Sequence, residues 1–386
     1  MSVYLDHAAT TPLRAEARQA FVGALDILGN PSSIHSHGQN ARRLLEESRE
    51  LIATELDCEP IEVVFTSGGT ESINFAIVGA FRAAKEKGKT RILVPQGEHH
   101  ATIDTVEWLV KNEGAIAQWL PVDEYGRLAS ETLESVLGEH QDCALLSLIW
   151  ANNEVGTIQP VPELAAIAAD YSLPVHVDAV GAFKHVEITF RDTAISALSI
   201  SSHKIGGPHG IGAVAIKRNA AIKPLLHGGG QERGLRPGTQ NVAAVVGFAA
   251  AARLPKSNMQ VLRDELISGI QRVIPQARLM GDPINRLDSN AHFIFPGAQG
   301  DSLLFLLDAE GISVSTGSAC QAGVPEVSHV LLGMGLDPSE AIGALRFSLG
   351  VDSTREDISQ LLRAIPSVYA KALKAGLSDR NVKSNT

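Results

Sequence analysis

The chain has 386 residues, 44% hydrophobic and 20% charged, with 43 acidic against 33 basic side chains and a formal net charge of -10. That length supplies ample apolar material for more than one core. The acidic balance argues against a general binder of phosphate backbones, and so against a direct nucleic-acid partner. The start, MSVYLDHAATTP, has neither a basic nor an apolar signal region, and no run of about 18 apolar residues occurs, so a cytoplasmic protein with no membrane partner is expected.

In chain order, the polar loop GNPSSIHSHG carries His35 and His37 and precedes a helix expected over 39–56. The β-branched runs IEVVFTS, TRILVPQ, CALLSLIW, LPVHVDAV, ISALSISS and GIGAVAIK read as strands, and 161–171 reads as a helix. Such alternation predicts α/β units around a mostly parallel sheet buried on both faces. After the Ala-rich helix NVAAVVGFAAAARL, the segment PKSN reads as a hinge or the start of a connecting helix. ARLMG, NAHFIFP and ISVST then read as strands of a smaller α+β domain. The expected division is a large domain over 15–255, a small one built from 1–14 and 256–375, and a solvated tail over 376–386.

Chemistry-bearing residues gather after these strands. Ser67-Gly68-Gly69-Thr70 joins a strand to an amphipathic helix, where glycines and free helix amides can receive an anion; an ordinary helix cap is the competing reading. Glu98-His99-His100 follows the next strand, and Asp178 ends an apolar one at the carboxyl edge, where open α/β sheets bind ligands. Lys204 follows Ser201, Ser202 and His203 and meets a glycine-rich turn, a setting suited to an imine-forming lysine. Ser201-x-x-Lys204 also matches the SxxK of serine acylases, but SDN and KTG are missing. No carboxylate or cysteine set completes a metal site around the histidines, so no metal is expected. An amine, a carboxylate, phosphate donors and a flat imidazole on one sheet edge suit pyridoxal 5'-phosphate. Its aldehyde bonds a lysine, its ring nitrogen pairs with a carboxylate, and its phosphate sits at a helix N-terminus.

Three cysteines occur, with no CxxC and no zinc spacing. Cys58 and Cys143 read as small buried hydrophobes, whereas Cys320 lies in GSACQAG, where no apolar pattern would bury it.

YLDHAATTP, GNPSSIHSHGQNAR, FTSGGTES, GEHHA, NNEVGTIQP, HVDA, SSHKIGGPHGIGA, GGGQERGLRPGTQN, GSAC and LRFSLG follow one another over nearly the whole chain. In this order they closely resemble the cysteine desulfurase family, the NifS/IscS-like branch of fold-type I pyridoxal phosphate enzymes in the class V aminotransferase superfamily. The resemblance implies a large domain with a mostly parallel seven-stranded sheet between helices, plus a smaller α+β domain. It implies that Lys204 holds the cofactor, Asp178 pairs with its ring nitrogen and His99 stacks on the ring and shuttles protons. Gly69, Thr70, Ser201 and His203 would hold the phosphate, with Thr239 reaching it from the second subunit of a homodimer. Asn153 and Arg346 would bind the carboxylate of L-cysteine. Cys320 would take its sulfur as a persulfide and pass it to an acceptor protein, for iron–sulfur cluster assembly or other thio-cofactor or tRNA sulfuration. Two departures stand out: Gly181 where the family usually has Gln, and Gln321 after Cys320 where a small hydroxyl residue is common. A selenocysteine lyase or other pyridoxal phosphate-dependent sulfur lyase or aminotransferase, and a non-catalytic sulfur carrier, are the alternatives.

Overall fold

The computed structural model describes residues 2–256, 258–317 and 327–383, with 375–383 as backbone alone. The strands are β1 (Val3–Tyr4), β2 (Val63–Thr66), β3 (Arg91–Pro95), β4 (Ile116–Leu120), β5 (Cys143–Ile149), β6 (Val175–Asp178), β7 (Ala197–Ser201), β8 (Gly212–Ile216), β9 (Arg278–Met280), β10 (Asn290–Ile294), β11 (Ile312–Ser313) and β12 (Ala344–Ser348). Seven of them form one sheet in the order β2-β8-β7-β6-β5-β3-β4. β3 to β7 run parallel, while β8 is antiparallel to both β7 and β2. Two antiparallel steps restore the direction. The carboxyl ends of β2, β3, β5, β6 and β7 therefore open on the same edge.

Every residue of β5 and β6 is buried, as continuous apolar strands covered by helices on both faces should be. His176 survives there because Ser147 and Ser199 each place a hydroxyl 2.9 Å from one of its ring nitrogens. Burial pushes its pKa down to about 3, so the ring is neutral. β4, with the sequence IAQWL, is half exposed at the sheet edge and has no continuous apolar run, so pattern alone does not reveal it. The helix expected over 39–56 spans Ser36–Leu56. It starts three residues early because His35 Nδ1 accepts the Gly38 amide and caps it.

A second core, with Leu266, Phe293, Phe347 and Leu361 among its members, surrounds the antiparallel sheet β9-β10-β12. β1 pairs in parallel with β11 beside it, which returns the N-terminus to this end of the molecule. Helix Arg355–Lys383 carries helical backbone into the segment expected as a tail, and 384–386 lie outside the described residues. Among the described residues, no helix is long and apolar enough to cross a membrane.

One buried ion pair fastens the loop Gln231–Gly234 to the large sheet. Arg49 donates to both Glu232 carboxylate oxygens at 2.7 and 2.8 Å, and one of these also accepts the Phe65 amide of β2. Both side chains are nearly inaccessible, so removing one partner strands a buried charge. Glu232→Ala is expected to cost about 3–5 kcal/mol of stability, read as a lower urea midpoint. An unchanged midpoint would refute this account of the loop.

Candidate active site

At the common carboxyl edge lies a cavity of about 330 Å³. Eight of the expected residues line it: Gly69, Thr70, His99, Asn153, Asp178, Ser201, His203 and Lys204. They come from the ends of β2, β3, β5, β6 and β7, so the sheet direction derived above brings them together. The N-terminal stretch His7 to Pro12 closes the opposite side.

Lys204 sits on the short turn Ser202–Ile205 that follows β7. Its ammonium donates to the carbonyl oxygens of Ala8 at 2.5 Å and Ala9 at 3.0 Å. Burial is the main cause that lowers its pKa from 10.5 to about 8; the Arg346 charge adds to this, while Asp178 and Asp6 oppose it. A lysine whose pKa is lowered toward neutrality in a cavity is primed to act as a nucleophile or base.

Asp178, at the end of β6, is buried and accepts the Val180 amide at 2.9 Å. Burial pushes its pKa up to about 6, against the Val180 bond and the Lys204 charge. His99 caps helix His100–Glu113, its Nδ1 accepting the Ala101 amide at 3.0 Å. Burial and then Lys204 push its pKa down to about 4, so the ring is neutral and carries its proton on Nε2. Glu98 beside it is fully buried, with Oε1 accepting the Ile149 amide at 2.7 Å. Burial pushes this carboxyl well above the usual range, with Asp178 adding to the effect and the Ile149 amide opposing it.

The residues fit a phosphate at the start of helix Gly69–Lys85, whose first amides lack intrahelical acceptors. The Ser201 hydroxyl is buried, and among the described residues it has no hydrogen-bond partner. A Cβ on Gly69 would stand 3.5 Å from the Ser201 Cβ and only 2.8 Å from Val180, so only glycine leaves this cradle open. His203 contributes a ring whose Nδ1 lies 3.2 Å from the Thr10 hydroxyl; burial and then Lys204 push its pKa down to about 4. With Lys204 for the aldehyde and Asp178 for the ring nitrogen, the donor set matches pyridoxal 5'-phosphate.

Arg346 lies on β12 rather than on the cavity wall. Its guanidinium donates to the Asn153 carbonyl at 2.8 Å and to the Asp6 carboxylate at 2.7 Å, and its Nε is buried with no partner among the described residues. Thr239 is exposed and does not line this cavity. Cys320 and Gln321 lie outside the described residues. Gly181 lines the cavity, and a Cβ there would meet the Ala151 carbonyl oxygen at 3.1 Å. Cys58 and Cys143 are buried, which pushes the Cys58 thiol up to about 12 and raises Cys143 as well. Asp6, Ala8, Ala9 and Glu154 emerge as site residues only from the structure, and Glu98, named in the sequence beside His99, had no role assigned there. Their sequence signals were the motifs YLDHAATTP, GEHHA and NNEVGTIQP, which do not show what these residues bond.

In the cofactor-free protein, labelling of Lys204 by a neutral amine reagent, mapped by mass spectrometry, is expected to inflect near pH 8. Asp178→Asn should move the inflection lower, because the carboxylate favours the charged ammonium. An inflection near 10.5 in the parent would show the burial argument to be wrong.

The model of the family described as Aminotransferase class-V matches residues 3–361. The IscS-like cysteine desulfurase of Mycobacterium tuberculosis is 46% identical, covering 97% of this chain and 98% of that one. Among solved structures, a NifS-like protein superposes with a TM-score of 0.88 at 35% identity, covering 96% of this chain and all of that one. SspA, solved in complex with cysteine, superposes at 0.80 with 31% identity over 90% of this chain and 99% of that one. With its site geometry and near full-length similarity in agreement, this chain belongs to the class-V aminotransferase family, within its IscS/NifS-like cysteine desulfurase branch.

Proposed function

We propose that this chain is a cysteine desulfurase that uses pyridoxal 5'-phosphate to take sulfur from L-cysteine, releasing L-alanine and leaving a persulfide on Cys320. The observation that carries the reading is Lys204, an amine brought to about pKa 8 by burial, facing Asp178, His99 and an unpartnered Ser201 hydroxyl in one cavity. When bound, the cofactor supplies an aldehyde that condenses with amines and a ring that accepts electrons from the substrate α-carbon.

The chain's own residues do the rest. Lys204 Nζ holds the cofactor and, once free, takes the α-carbon proton; its lowered pKa keeps about a tenth of it neutral at pH 7. Asp178 holds the proton on the ring nitrogen, a task that needs its carboxylate, which a protonated ring nitrogen beside it favours. His99 Nε2–H moves a proton at the cavity wall. Gly69, Thr70, Ser201 and His203 hold the phosphate, and Arg346 with Asn153 holds the substrate carboxylate through the bidentate reach of the guanidinium. Cys320 Sγ bonds the substrate sulfur as the bond from that sulfur to its carbon breaks. Cys58 and Cys143, buried with raised pKa, are unfit for this thiolate chemistry.

The enzyme acts as a cytoplasmic homodimer that passes sulfur to an acceptor protein for iron–sulfur assembly or related sulfuration. Exposed Leu25, Leu28 and Ile34, at and after the end of helix Ala15–Leu25, support a subunit interface, and Thr239, exposed away from its own cavity, is free to reach a neighbour's. Residues 15–255 form the cofactor domain, and 1–14 with 256–375 form the smaller one.

Cys320→Ala is expected to abolish the persulfide seen by mass spectrometry while leaving the cofactor's visible absorbance intact. Alanine and sulfide still forming at the parent rate in that variant would overturn the assignment. Lys204→Ala should lose the visible band; an unchanged spectrum would sink the cofactor role. Arg346→Lys, which loses the fork, should raise KM for L-cysteine roughly tenfold or more.

A further inference from the structure

The two described ends of the stretch that contains Cys320 meet at one buried carboxylate. Upstream, Gly317 has a φ of +87°, and a Cβ there would stand 3.3 Å from Glu154 Oε2, so that carboxylate lies on the side where a side chain would project. Its amide donates to Ser315 Oγ at 3.1 Å, and Ser315 exchanges backbone hydrogen bonds with Arg346. Downstream, Ser328 Oγ donates to the same Glu154 Oε2 at 2.5 Å in a buried contact. Ser328 Oγ also accepts the Leu331 amide, and His329 Nε2 bonds the Glu98 carbonyl at 2.7 Å, so this end is tied to the residue before His99 as well. Glu154 is 3% exposed, far too little to be an ordinary solvated carboxylate. It directly follows Asn153, whose carbonyl accepts Arg346.

We propose that Glu154 is a positioning residue for sulfur transfer: it sets the separation of Gly317 and Ser328 and references both to the Asn153–Arg346 pair. A group tethered at two fixed ends samples a smaller volume than one tethered at loose ends, and its effective concentration at a target rises accordingly. The reacting partner here is the substrate sulfur, whose own position is set by the same Asn153–Arg346 pair. This inference rests on the desulfurase reading, with Cys320 as the sulfur acceptor.

The test uses the holoenzyme in single turnover with L-cysteine, reading Cys320 persulfide by peptide mass spectrometry and alanine by steady-state assay. Ser328→Ala removes the donor, and Glu154→Gln keeps the shape while discharging the acceptor. Both are expected to slow persulfide formation on the order of 10- to 100-fold, with the visible absorbance and KM for L-cysteine unchanged. Ser328→Thr, which keeps the hydroxyl, should restore the parent rate. Persulfide forming at the parent rate in both Ser328→Ala and Glu154→Gln overturns the proposal. So does a rise in KM that accounts for the whole loss, since that would mean a distorted carboxylate site. Absence of Cys320 persulfide in the parent enzyme overturns the underlying reading, and this inference with it.

Discussion

Arg346 is the group on which the arrangement of the site depends. Its guanidinium, 5% exposed, leaves β12 of the small sheet and reaches both the Asn153 carbonyl after β5 and the Asp6 carboxylate after β1. A buried cation must be paired, and here its partners lie on separate parts of the chain, so the pairing fixes how those parts meet. The N-terminal stretch placed in this way presents the Ala8 and Ala9 carbonyls to Lys204. The same charge then presses on that lysine and helps to lower its pKa.

Burial governs protonation throughout the cavity. His99 and His203 are neutral, the Glu98 carboxyl is pushed well above its usual range, and Asp178 titrates near 6. Few net charges remain to compete with an incoming anion. An anionic ligand entering the cavity would meet the lining cations Arg14, Lys184 and Lys204, with helix amides and hydroxyls adding to the attraction.

Much of this was legible in the residues. Continuous apolar runs marked β5 and β6, and the strand-then-small-residue pattern at Gly69, Asp178 and Lys204 placed those groups at strand ends before any coordinates. β4 escaped because an edge strand needs no continuous apolar run, and the early helix start at Ser36 escaped because a histidine cap is not a common N-terminal signal. Arg346 was expected through the motif LRFSLG, yet its partner Asp6 was not.

Local pattern and motif order by themselves determined the α/β class, the cofactor chemistry and the identity of the lysine, aspartate and histidine at the sheet edge, because each depends on near neighbours in the chain. Only the tertiary structure decided that Lys204 bonds a carbonyl 196 residues away and that Arg346 bonds a carboxylate 340 residues away. It also brought Gly317 and Ser328 to the single carboxylate of Glu154. Such contacts join segments with no common periodicity, so their cause is the closing of two cores against each other, which no local stretch of sequence encodes.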